Sequence, residues 1–198
     1  MASVDRSMTH REELGLVVDL ADRQFTAVVV LLTIGSPIVA YLSGITSLLF
    51  YVHVALGAFW FGFDFFFKFV LGPSIDAAPE EAAGAINHRL VPKVVAVAEP
   101  LSVGVVGSGI GLAHVLGYWA APSVWLWGAL AIAVLMLLNG FGPLHLATTR
   151  MVVELDRPEP DGERLDALFE TAMRWGLLQT VFMLSIVVMM VGLRGLLG

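Results

Sequence analysis

Apolar residues run in five stretches along the chain, at 25–42, 45–71, 91–119, 124–146 and 173–193. Each is near the roughly 20 residues that a helix needs to cross the hydrocarbon core of a bilayer. The breaks carry turn chemistry: Ser43-Gly44, Gly72-Pro73, Ala121-Pro122, and the run Arg157, Pro158, Glu159, Pro160, Asp161, Gly162 before the last stretch. The pattern predicts an all-α, polytopic membrane bundle of about five transmembrane helices. It forms a single integral membrane domain, with residues 1–24 as a polar N-terminal segment and 25–198 as the bundle. Gly35-Ser36-Pro37 predicts a kink in the first span, which can also begin earlier as an amphipathic extension. Segments 74–90 and 147–171 are charged and rich in helix formers, so the helices are expected to project past the lipid as a short stalk.

Composition agrees with this pattern. Of 198 residues, 58% are hydrophobic and 14% charged, and mean hydropathy is +0.84; a soluble domain carries about a quarter charged residues. A net charge of -6 removes the basic footprint that nucleic acid requires. With no cysteine, disulfides, thiolate metal sites and iron-sulfur clusters are excluded, so metal chemistry must rest on His, Met or carboxylate. The N-terminal segment mixes both charge signs and lacks the apolar core of a secretory signal. Ten of the 11 basic residues, all but Arg194, fall towards one face of the spans. That asymmetry predicts a multi-pass protein of the cell (inner) membrane with a cytoplasmic N-terminus and the C-terminus outside. Tyr118, Trp119, Trp125 and Trp127 form an aromatic belt at the opposite face.

Ionisable groups inside apolar spans are costly and are functional candidates. His53 lies on the second span, His88 and His114 mark the two ends of the third, and His145 lies late on the fourth. Counted from the turns, His53 and His114 lie about 12 and 8 Å from the same end of their helices, within roughly a turn. Two imidazoles at matched depth on adjacent helices suit a six-coordinate haem b. His88 and His145 make a looser pair for a second haem. The four histidines are too widely spaced for one compact zinc site.

Gly104, Gly107, Gly111 and His114 share a helix face, as do His53, Gly57, Trp60, Asp64 and Lys68. The glycines suit either a flat macrocycle or close helix packing, including a homodimer contact at Gly107 and Gly111. A lone membrane histidine is equally a hydrogen-bonding residue between helices. Asp64 and Lys68 are spaced to pair. Glu99 is deeper, with Lys93 or Lys68 as its nearest cationic partners, and is a proton-transfer candidate together with Asp64 and Lys68. Met136, Met173, Met183, Met189 and Met190 could supply soft Cu(I) ligands, but their spacing shows no pair on facing helices.

The segment YVHVALGAFWFGFDFFFKFVLGP, residues 51–73, resembles the His-x6-Trp-x-Gly helix, with its aromatics and closing Gly-Pro, of the copper-resistance-D-like superfamily of small membrane haem b proteins. The following INHRLVPKVVAVAEPLSVGVVGSG is similar in style to that superfamily's next helix. A more distant likeness is to haem-dependent membrane protoporphyrinogen oxidases, although Lys68 stands near the place of their arginine. The resemblance implies His53 as a haem ligand; His114 follows from depth alone. The expected function is a membrane cytochrome b that transfers electrons in or across the bilayer, with one or two haem b groups and a quinone or another redox protein as partner. The alternatives are a haem-dependent membrane oxidase and a copper or ion permease.

Overall fold

The computed structural model describes residues 9–195, and the described chain is helical without strands. Five long helices are long and apolar enough to span a membrane: α2 (Arg23–Leu42), α3 (Thr46–Asp76), α4 (Glu80–Val115), α5 (Val124–Leu155) and α6 (Gly162–Leu193). A shorter helix, α1 (His10–Ala21), precedes them. Large apolar side chains such as Leu32, Leu42, Phe59, Val181 and Val187 are exposed on the outside of the bundle, as lipid contact requires. The protein is therefore a multi-pass helical membrane protein.

Residues 13–24 do more than the expected polar segment. Val17 and Ala21 of α1 are buried, and Val17 packs with Val95 of α4 and Val152 of α5. At the start of α1 the Glu12 carboxylate accepts hydrogen bonds from the Thr9 backbone N–H at 2.7 Å and hydroxyl at 2.8 Å, which holds its pKa below the ordinary carboxylate value. Asp22, at φ 80, then separates α1 from α2, and its carboxylate caps α2 through Gln24 and Phe25 N–H.

Spans α3 to α6 contain 31, 36, 32 and 32 residues, well beyond the roughly 20 needed to cross the lipid. The helices thus continue into the charged segments, as their composition predicts. The end that carries the α3–α4 and α5–α6 connections is called the charged end below. Gly44 and Gly117, at φ 70 and 72, make the short left-handed turns at the aromatic end.

Two spans contain a π-helical turn before a proline, Leu31–Gly35 before Pro37 and Phe67–Leu71 before Pro73, and α5 is kinked within Gly140–Leu144, where Gly142 (φ -98, ψ -110) leaves helical geometry beside Pro143. Proline lacks an N–H and crowds the carbonyl one turn earlier, and a wider turn relieves both. The kink predicted for the first span takes this form.

Helix α4 is the most enclosed span: 39% of its most apolar window is buried, against 6% for α3. It packs against α1, α2, α3 and the charged half of α5, while α6 packs along α5. Trp60, Val97, Leu101, Met136 and Met183 join α3, α4, α5 and α6 in one buried cluster.

Candidate functional site

His53 projects from α3 against Ser108 of α4, with Nδ1 and Oγ 2.9 Å apart. The Ser108 hydroxyl spends its only proton on the Val105 carbonyl, also at 2.9 Å. With that proton on the carbonyl, the serine oxygen accepts and His53 Nδ1 donates. In this arrangement the neutral imidazole carries its lone pair on Nε2. One turn along α3, a Cβ on Gly57 would meet nothing within 4 Å.

His114 is placed differently. Its Nδ1 lies 3.1 Å from the Tyr41 hydroxyl of α2, and the ring is exposed. Ser108 and His114 are six residues apart on α4, about 9 Å along the axis. The glycine face between them is largely taken by α2. A Cβ on Gly104 would come 1.9 Å from the Thr33 carbonyl oxygen, and one on Gly111 would come 3.2 Å from the Tyr41 ring, while Gly107 faces open surroundings. Gly104 and Gly111 thus serve close helix packing, with His53 bonded across α3 and α4 and His114 across α2 and α4.

At the charged end, His88 Nε2 lies 3.7 Å from Asp156 on an exposed surface. His145 is buried on α5, and its Nδ1 meets the Glu99 carboxylate of α4. His88 and Glu99 are eleven residues apart on one helix, about 16 Å, and His88 and His145 have separate carboxylate partners. Among the described residues, no group of three or more His, Asp or Glu is placed to hold a metal ion.

His145 instead lines a partly open cavity of about 240 Å³ between α3, α4, α5 and α6. Its walls are mainly apolar, with Trp60, Phe63, Phe67, Phe141 and Phe169 among them. Two polar clusters reach it. Glu99 and His145 come from α4 and α5. On the other side Lys68 pairs with Asp64, and Lys68 Nζ also donates to Thr180 Oγ1 of α6 at 2.9 Å. Thr180 in turn donates to Asp64 Oδ2 at 2.7 Å. Gly176 makes this possible, since a Cβ there would come 2.8 Å from the Lys68 Cε. Lys93, the other cation near Glu99 in sequence, lies 5.5 Å over the Phe25 ring.

At Gln179, which also lines the cavity, Asn139 Nδ2 donates to Oε1 at 2.8 Å, and it donates to the Trp175 carbonyl at 3.0 Å, tying α5 to α6. Met136, Met151 and Met173 also line the space, so thioethers from α5 and α6 face the same cavity. Sequence reasoning singled out Asp64, Lys68, Glu99 and His145 but left out Ser108, Thr180, Gln179 and Asn139. All four omitted residues interrupt apolar stretches, the same signal that marked the histidines. Glu99 also borders a second cavity, between α1, α2 and α4. No family model matches the chain, and neither does any curated protein or solved structure at a significant level.

Proposed function

We propose that the protein is a membrane-embedded redox protein of the b-type cytochrome class. It moves electrons within or across the cell membrane and exchanges them with a lipid-soluble carrier. The observation that supports this reading best is the His53–Ser108 bond inside the α3–α4 seam. It sets Nε2 as the basic nitrogen of an imidazole that is half-buried within a span. A ligating histidine is commonly held this way, through a hydrogen bond from its other ring nitrogen.

The chain would supply one imidazole: His53 would hold the haem and Ser108 would orient its ring. The bound group would supply a one-electron couple. His53 is also the ligand implied by the resemblance of residues 51–73. His114, His88 and His145 are not needed for this assignment.

A single histidine ligand would let the haem take a substrate, which favours the haem-dependent oxidase as the second reading. The test is a reduced-minus-oxidised spectrum with a pyridine haemochrome assay on the purified full chain. The expected result is one haem b per chain, lost in His53→Ala and kept in His114→Ala. Carbon monoxide binding to the reduced protein would favour the oxidase over the pure electron carrier. Absence of haem after expression with ample haem supply would remove both.

A further inference from the structure

The two polar clusters at the cavity differ in what they can still offer. Lys68 carries three N–H donors, and Asp64 and Thr180 take two of them. One donor remains on the α3 and α6 side. Glu99 uses Oε1 for His145, so Oε2 remains as an acceptor on the α4 and α5 side. Each cluster pairs a carboxylate with a basic group, so an added ionic ligand would sit at membrane depth without a counter-ion. The remaining walls are mainly apolar and rich in aromatic rings, with Asn87, Ser102, Thr148 and Gln179 as the other polar side chains. The space thus calls for a neutral, flat, apolar body with one oxygen that accepts and, at the other end, one that donates.

We propose that this cavity is the binding site for a quinone in its reduced, hydroquinone form. One hydroxyl oxygen accepts from Lys68, the opposite hydroxyl donates to Glu99, and the ring lies among Trp60, Phe63 and Phe141. The inference rests on the redox reading only in choosing a lipid-soluble carrier as ligand, and it names that carrier's class and its site.

Trp60 lines the cavity and reports on it. The full chain in nanodiscs is titrated with a decyl-tailed benzoquinone while tryptophan fluorescence is followed, and the reduced form is added as competitor under anaerobic conditions. The expected result is saturable quenching that Trp60→Phe largely removes, with the reduced form the better competitor. Lys68→Met and Glu99→Gln should each weaken the reduced form by about tenfold, the cost of one charge-assisted hydrogen bond. Ala98→Phe, which fills the cavity, should abolish binding, and His114→Ala should leave it unchanged.

Non-saturable quenching, quenching that survives Trp60→Phe and Ala98→Phe, or full affinity in both Lys68→Met and Glu99→Gln would overturn the site. If Lys68→Met fails to fold, Ala98→Phe and Glu99→Gln decide. Haem is assayed on the same preparation. Quinone binding without haem removes the cytochrome reading and leaves the site standing; haem without quinone binding does the reverse.

Discussion

His53 on α3 and Ser108 on α4 are joined by a 2.9 Å hydrogen bond whose direction is set by the serine's own bond to the Val105 carbonyl. The serine is a positioning residue for the imidazole. Ser108→Ala should lower haem affinity by about 10- to 100-fold, the range for loss of a partner that orients a metal ligand. Haem titration into the apoprotein measures this, and Ser108→Thr, which keeps the hydroxyl, should recover much of it. Equal affinity in Ser108→Ala would show that the bond has no part in ligand positioning.

Gly104 and Gly107 look alike in the sequence and should behave oppositely. A methyl group on Gly104 meets the Thr33 carbonyl oxygen at 1.9 Å, whereas one on Gly107 meets nothing within 4 Å. Gly104→Ala should therefore cost on the order of 1–3 kcal/mol by forcing α2 away from α4. Gly107→Ala should be neutral or slightly stabilising, by up to about 1 kcal/mol, because glycine is a poor helix former. Thermal midpoints in a mild detergent distinguish the two.

Glu154 is 1% exposed at the end of α5, with Arg157 and Arg164 each 3.2 Å from Oε2. Its other oxygen accepts from the Asp161 N–H at 3.1 Å, so one carboxylate organises the whole α5–α6 connection. Glu154→Ala should destabilise the protein by about 2–3 kcal/mol, below the full value for a buried pair because both arginines are partly solvated. Limited proteolysis should show faster cleavage within 156–161, and an unchanged rate would count against this role.

The start of α1 should respond to acid. The Glu12 carboxyl is held below its ordinary pKa by the Thr9 backbone and hydroxyl, so it binds protons less readily folded than unfolded. Its contribution is present above the unfolded pKa and is lost as pH falls through the lower folded value, on the acid side of the ordinary glutamate range. Hydrogen exchange in α1 should quicken over that range, and Glu12→Gln should bring the same change at neutral pH. An acid response confined to the other helices would contradict it.

Much of the fold was legible because a bilayer imposes long apolar runs, and the five runs correspond to α2 through α6. Helix α1 was harder to see. Its buried face is only Val17, Ala21 and their neighbours, and the separating turn depends on the unusual backbone of Asp22. Depth counting placed each histidine along its helix but not the helices about one another. It therefore could not show that α2 covers Gly104 and Gly111, or that Glu99 meets His145 instead of a lysine. The Asp64–Lys68 pair was readable because it is local, whereas Thr180 joins it from 112 residues beyond Lys68.

The break at Gly140–Leu144, where Gly142 leaves helical geometry beside Pro143, sets the register between the two halves of α5. One residue of helix corresponds to about 100° of rotation. Met136 and His145 reach the same cavity from opposite sides of that break. Removing a single residue there would leave hydropathy and span length almost unaltered. It would nonetheless swing His145 away from Glu99 by about a quarter turn, so the kink acts as a phase setter between a structural half-helix and a chemical one.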